Sequence, residues 1–257
     1  MKVCVSILSA TICLSLGFAF PSPAQQTLAS TTSTQNGEAI QELRLMASAL
    51  ISAMQNDIEL SGTMQIESGG RAETATITAA ARGNAETYEV IAGEYTNSTL
   101  VFANGEAAAD GKSASLELAC TAQSPLIPSS LIYALESDPN TGGEVIGPEI
   151  IDGMSLLHVR TWTNFSGASE LSQFSQRDWW IDAASGVLHR LEFERRTAGG
   201  AIAGIEYQYD FLSFQNIHGL LVPSTIRESV NGTYYATITI TSAQTNVGLT
   251  DQNFPVR

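Results

Sequence analysis

The chain has 257 residues, of which 44% are hydrophobic and 15% charged, a composition that suits one globular domain with a sizeable core. Its formal net charge is −14 at pH 7, and its lysines are Lys2 and Lys112. Phosphate binding needs clustered cations, so nucleic acid is excluded as a partner class, and an anionic membrane surface repels the chain on average. The acidity instead serves to keep a secreted, partly apolar-lined protein soluble.

Lys2 supplies a positive start, residues 3–20 are apolar or small, and Pro21, Ser22, Pro23 and Ala24 break the run. Ser22 and Ala24 lie three and one residues before Gln25, the small-x-small pattern that a signal peptidase reads. Residues 1–24 are therefore expected to be a secretory signal cleaved near Ala24, which makes the mature protein secreted or periplasmic. A single membrane anchor is the competing reading, because the run approaches the length that spans a bilayer. The cleavage pattern argues against it. Cys4 and Cys13 fall inside the signal, so Cys120 is left without an internal disulfide partner. Cys13, in "SATICL", lacks the Leu-small-small-Cys context of a lipid anchor, and Cys120, in "LELAC", reads as a small buried hydrophobe and not as a nucleophile.

Residues 25–37, "QQTLASTTSTQNG", are polar and Ser/Thr-rich and predict a flexible leader. A helix is predicted over 38–55, where Ile40, Leu43, Ala47, Leu50, Ile51 and Met54 recur at steps of three and four, with Asn36 or Gly37 as its cap. From Ile58 the period becomes two. Ile58, Leu60, Met64 and Ile66 alternate with polar residues, and "AETATITAAAR", "ETYEVIAG" and "STLVFANG" follow with turn residues between them, an antiparallel meander with one covered face. The proline-rich middle, "CTAQSPLIPSSLIYALESDPNTGG", holds a short helix over 129–136, with Ser129 as its cap and Leu131, Ile132 and Leu135 on one apolar stripe. It reads either as an ordinary connector packed over one end of the core or as a lid. Strands then resume to the end of the chain. Ile205, Tyr207, Tyr209 and Phe211 share one face; Val187, His189, Leu191 and Phe193 share another, opposite a solvated set of Arg190, Glu192, Glu194 and Arg196 with Leu188 as the exception.

The residues of catalysis are not assembled in this sequence. His158, His189 and His218 are scattered without a pairing that would ligate zinc, and His189 falls in the inward set as a hydrogen-bonded core histidine. Glu192 and Glu194 lie side by side on one strand face instead of flanking a cleft. There is no Gly-x-Ser-x-Gly elbow, and "GGAIAG" at 199–204 is a hairpin loop and not a phosphate cradle. No catalytic residue, metal or cofactor is expected, and the enzyme reading ranks last.

The segment "WIDAASGVLHRLEF" resembles the Trp-x-Asp-x-x-(Ser/Thr)-Gly-Leu-x-x-Arg hairpin of the periplasmic lipoprotein-carrier (LolA/LolB-like) superfamily, with Trp180, Asp182, Ser185, Gly186 and Arg190 in place and Val187 where Leu is usual. "YQYDFLSFQNIHGLLVPSTI" is similar to the family's next segment through Tyr207, Tyr209, Phe211, His218, Gly219, Val222 and Pro223, and Asn246, Leu249, Asp251 and Phe254 match its Asn-x-x-Leu-x-Asp-x-x-Phe ending. The resemblance is loose over 38–256 and good over 179–256. The hairpin also makes physical sense by itself. Asp182 can accept from turn amides, Gly186 can take a positive φ, and Trp180 and Arg190 on neighbouring strands can form a cation–π contact.

The resemblance implies a mainly β fold with an N-terminal helix: a curved antiparallel sheet forming an incomplete β-barrel around an apolar concavity, with covering helices. It implies a single half-barrel domain over 38–257 that holds an acyl chain or other lipid-like ligand, in the manner of a lipoprotein carrier of the cell envelope. Leu60, Met64, Leu191, Phe193, Tyr207 and Tyr209 are the expected ligand-binding residues, and Leu131, Ile132 and Leu135 the expected lid. The expected partner is a lipid or lipidated protein met by a monomer. The alternative is an envelope protein-interaction or sensing module that uses the same fold without lipid cargo. The chain's length, its scarcity of lysine and its proline-rich middle depart from a dedicated sorting carrier.

Overall fold

The computed structural model describes residues 37–50, 57–83, 86–167, 169–196, 204–217 and 219–256. The expected signal and leader, the end of the first predicted helix with Ile51 and Met54, most of the "GGAIAG" loop and His218 lie outside the described residues.

Each stretch of period-two alternation becomes a strand. The strands are β1 (Asp57–Ser68), β2 (Arg71–Arg82), β3 (Glu86–Ala92), β4 (Asn97–Ala103), β5 (Glu106–Ala109), β6 (Lys112–Ser113), β7 (Thr141–Ile151), β8 (Met154–Thr163), β9 (Arg177–Ile181), β10 (Leu188–Arg195), β11 (Ile205–Ile217), β12 (Leu220–Val230) and β13 (Thr233–Thr245). Helix α1 (Gly37–Leu50) precedes them, and α2 (Leu116–Ala119) and α3 (Pro128–Ser137) stand between β6 and β7. Among the described residues the thirteen strands form one sheet in the order β6-β5-β4-β3-β2-β1-β13-β12-β11-β10-β9-β8-β7. Two meanders thus step inward from opposite edges and meet where β1 pairs antiparallel with β13. Among the described residues the edge strands β6 and β7 do not pair with each other, so the barrel is incomplete. The fold class implied by the resemblance is the one the chain adopts.

Bulges bend the sheet. In β1 the register against β13 shifts between Ser61 and Gly62. There the backbones come so close that a Cβ on Gly62 would lie 2.1 Å from the Thr239 carbonyl oxygen. A second bulge, between Leu188 and Arg190 in β10, corrects the alternation read from the sequence. It turns Leu188 into the core, fully buried, and leaves His189 half-buried outside that cluster. His189 is therefore not the core histidine that strict alternation predicted.

The core fills the concave side. Helix α1 lays Ile40, Leu43, Ala47 and Leu50 against α3 and the sheet, as its stripe predicted, and buries Met46, which the stripe did not include. Helix α3 begins one residue earlier than expected. Ile127 is its N-cap and Pro128 opens it, a position where the missing N–H costs nothing, so Ser129 lies inside the helix and does not cap it. At the C-terminus the Asp57 carboxylate accepts from the amides of Val247, Gly248 and Leu249 at 2.5, 3.0 and 3.0 Å, and Phe254 is buried against Val101 and Ala103. The last segment thus clasps the start of β1.

The β9–β10 hairpin is built as its motif suggested. Asp182 Oδ1 accepts from the Ala184 and Ser185 amides at 2.8 and 3.3 Å, and Gly186 adopts φ +72°. A Cβ on Gly186 would also lie 2.7 Å from the Leu45 carbonyl oxygen, so the turn docks on α1. The adjacent tryptophans point to opposite faces. Trp179 is buried in the core and donates to Thr161 Oγ1 at 2.8 Å. Trp180 stacks on His158 at 4.3 Å, donates to Glu149 at 2.8 Å, and has the Arg190 guanidinium 5.9 Å from its ring centroid.

The outer face around it is not simply solvated, as the sequence suggested for Arg190 and Glu192. His158 is hydrogen-bonded to Glu149 and Asp178, both at 2.7 Å; Arg160 donates to Asp178 at 2.8 Å; and Arg190 and Arg227 converge on the buried Asp210 at 2.6 and 2.8 Å. Burial opposes a charge on His158, but the Asp178 and Glu149 carboxylates outweigh it and hold the imidazole above its ordinary pKa.

The bulge at Gly62 carries a direct test. Gly62→Val forces the β1 and β13 backbones apart and is expected to cost about 1–3 kcal/mol or more in denaturant unfolding. Gly37→Ala, where a Cβ meets nothing within 4 Å, is expected to cost nothing.

Candidate ligand-binding site

A cavity of about 650 Å³ opens on the concave side between β1–β4 and β10–β13. Alternation places its walls, because residues two apart on each strand face the same way. Met64 comes from β1, Ile77 from β2, Ile91 from β3 and Ile238 from β13, while Leu118 and Leu126 reach in from α2 and from the segment before α3. Tyr207 and Tyr209 of β11 form one side. They stack with Phe193, the three ring pairs having centroids 5.8, 5.9 and 6.4 Å apart and planes within 14°.

The lining also carries charge. Glu67, Glu89, Asp110, Arg195 and Glu228 all line the cavity. Glu228 is 4% exposed and accepts from the Tyr209 hydroxyl at 3.3 Å. Burial, with the charge of Glu89 adding to it, pushes the Glu228 carboxyl up to about 8, against the smaller pull of Arg195 and the Tyr209 hydrogen bond. Burial also raises Glu89, which accepts from Ser124 Oγ at 2.8 Å. The Tyr209 phenol stands well above its ordinary value, chiefly through burial and then through the charge of Glu228. Arg195 lies over the rings of Phe193 and Tyr207, 5.5 and 4.9 Å from their centroids, and donates to the Thr121 carbonyl oxygen at 3.3 Å. Among the described residues its Nε finds no hydrogen-bond partner.

Of the six residues expected to bind ligand, Met64, Tyr207 and Tyr209 line the cavity. Leu60, Leu191 and Phe193 are buried in the adjoining core, with Phe193 backing the two tyrosines. Leu131, Ile132 and Leu135 are 1%, 0% and 4% exposed and pack into the same core. The connector residues at the cavity are instead Leu118 and Leu126. Leu135 also borders a smaller pocket of about 350 Å³ together with Cys120 and Arg177. Cys120 is half-buried, its thiol donates to the Leu116 carbonyl oxygen at 3.2 Å, and burial pushes its pKa up to about 11, which disfavours a nucleophilic thiolate.

Sequence reasoning passed over Glu89, Arg195 and Glu228. The signal was present. Glu89 is in phase with Thr87 and Ile91, Arg195 with Leu191 and Phe193, and Glu228 with Ile226, each set facing inward.

No protein-family model matches the chain, and no curated protein matches it. Solved structures do. A LolA superfamily protein from Nitrosomonas europaea is 11% identical, with 84% of this chain and 97% of that one covered and a TM-score of 0.56. This is a LolA-like fold. A putative outer membrane lipoprotein-sorting protein domain from Vibrio parahaemolyticus matches at 11% identity over 84% of this chain and 97% of that one, TM-score 0.52. A DUF1329 family protein from Desulfovibrio piger matches at 14% identity over 85% and 96%, TM-score 0.52. At these identities the likeness is one of fold. In the LolA-like sheet the cavity described above occupies the concave side.

Two measurements follow from this geometry. Leu131→Ala is expected to cost about 2–5 kcal/mol, as for a core leucine; a loss below about 1 kcal/mol in chemical unfolding would mark α3 as a loosely docked cover. The second concerns Glu228. The folded protein holds its proton more tightly than the unfolded chain, so its contribution to stability is complete below about pH 4.5 and is lost as pH rises through about 8. The melting temperature should fall across that window, and Glu228→Gln should flatten the fall. An unchanged slope in the variant counts against a protonated Glu228.

Proposed function

We propose that the chain is a non-enzymatic protein of the cell envelope, secreted or periplasmic after cleavage near Ala24, that holds an acyl chain or another lipid-like ligand in its concave cavity. The observation that supports this reading is the cavity of about 650 Å³ walled by Met64, Ile77, Ile91, Leu126 and Ile238. Spaces of about 300–1,000 Å³ with mostly apolar walls and a few placed polar groups are what small-molecule sites look like. A lipoprotein-sorting name attached to a protein of like fold adds to it. In this reading Tyr207 and Tyr209 flank the chain of the ligand, and Phe193, Leu60 and Leu191 hold their wall rigid from behind. The connector carrying Leu118, Leu126 and α3 covers the opening and yields when ligand enters, with Leu131, Ile132 and Leu135 anchoring it between visits. The protein acts as a monomeric carrier. An interaction module without cargo is the reading that remains if no amphiphile binds.

Each buried methylene is worth about 0.8 kcal/mol, so affinity for a series of straight-chain alcohols should rise about fourfold per carbon until the cavity is full. Calorimetric titration of the full chain measures this. Ile91→Trp fills part of the space from a half-buried position and should weaken binding of the long alcohols by about tenfold while leaving the melting temperature within a few degrees. Binding that ignores chain length, or survives the tryptophan intact, places the ligand outside this cavity.

A further inference from the structure

The charged groups in the cavity lining are at odds with a purely apolar cargo. Glu89 from β3 and Glu228 from β12 open onto the same space of about 650 Å³. Each keeps one hydroxyl donor, Ser124 Oγ at 2.8 Å and Tyr209 Oη at 3.3 Å. The one cation that both carboxylates feel, Arg195, makes no hydrogen bond to either among the described residues: it lies over Phe193 and Tyr207 and donates to the Thr121 carbonyl oxygen, with its Nε left without a partner. A purely structural tie between the connector and the sheet would need one carboxylate and one hydroxyl. Ionising both carboxylates in this weakly screened space would set like charges against each other, so Glu228 keeps its proton, and replacing such groups with apolar ones is often neutral or stabilising. A cation placed between the two lets both ionise and replaces their lost solvation. A ligand carboxylate would instead add to the four acids that line the cavity, Glu67, Glu89, Asp110 and Glu228, against Arg195 as the one cation in that lining.

We propose that the cavity takes an amphiphile whose apolar chain ends in an ammonium group, the chain lying among Met64, Ile77, Ile91 and Ile238 and the ammonium between Glu89 and Glu228. This rests on the lipid-binding reading above and specifies its ligand class. The groups that face Glu228 are Glu89 from β3, Arg195 from β10, Tyr207 and Tyr209 from β11 and Tyr235 from β13. The three phenols are all raised, so they stay neutral and serve as donors. The sign of the pH effect follows. Glu228 is largely protonated near neutrality, since its carboxyl stands at about 8. An ammonium favours the ionised form, so it expels that proton on binding, and its affinity rises with pH through about 8. An alkylammonium keeps its own charge to about pH 9, because its pKa is close to that of lysine at about 10.4.

The test uses the full chain and three probes of one chain length, dodecylammonium, dodecanol and dodecanoate, titrated by calorimetry at about pH 6 and about pH 9. Dodecylammonium should bind at least about tenfold more tightly than dodecanoate, with its lead growing at the higher pH and a proton released near neutrality that dodecanol does not release. Glu228→Gln and, from its half-buried site, Glu89→Gln should each lower dodecylammonium affinity by about five- to tenfold and leave dodecanol binding unchanged, which also shows that the cavity is intact. If dodecanol and dodecanoate bind as well as the ammonium, the ligand class is wrong and the lipid reading stands. If none of the three binds, both fall.

Discussion

The pairing of β1 with β13 is the contact on which the rest of the molecule depends. Among the described residues every other strand pairing joins neighbours in the chain, so two meanders could form locally and still remain two ribbons. Joining the first strand to the last closes a loop of most of the chain, at an entropic cost that local hairpins do not meet. The seam is correspondingly well made. The bulge at Gly62 lets the backbones approach, Ile58, Leu60, Met64 and Ile66 seat its inner face in the core, and the Asp57 carboxylate gathers three successive amides of the C-terminal segment at its end. With this seam formed, the concave faces of both arms look into one space.

That space is used unevenly. Helices α1 and α3 fill part of it with Leu43, Met46, Leu50, Leu131 and Ile132, and there the sheet behaves as an ordinary core layer. Away from the helices the strands keep their inward side chains but lack a packing partner of matching volume, and a cavity results. The polar groups collect in that region because a buried carboxylate is far more costly in a close-packed core than at the wall of a cavity, where a hydroxyl, a solvent molecule or a ligand can meet it. The aromatic trio of Phe193, Tyr207 and Tyr209 marks the boundary, with Phe193 on the packed side and the tyrosines on the open one.

Much of this was legible in the sequence, for reasons that are local. The α1 stripe over its described residues, the strand alternation away from the bulges and the Trp180–Asp182–Gly186–Arg190 hairpin each rest on contacts within a few residues or across one turn, and each is found where it was read. What escaped depends on distant backbone. The lone Gly62 inside a strand pattern hints at a bulge, but nothing near Leu188 announces one, and that second bulge decides that Leu188 points inward and His189 does not. The four-residue α2 is too short for a period to register. At the site, Met64, Tyr207 and Tyr209 were legible because apolar and aromatic side chains in phase with a core are expected to face it. Glu89, Arg195 and Glu228 had the same phase, but charged residues are so rarely buried that the general rule outweighed the register.

An unclosed sheet leaves two rows of backbone donors and acceptors at its borders, and such rows are templates for the addition of a strand from another copy. Here the borders are poor templates. β6 is two residues long and begins with Lys112. β7 is longer, but a bulge between Val145 and Gly147 interrupts its register and Pro148, the next residue, has no N–H to offer. The open sheet is thus framed by edges that discourage edge-to-edge growth into fibrils.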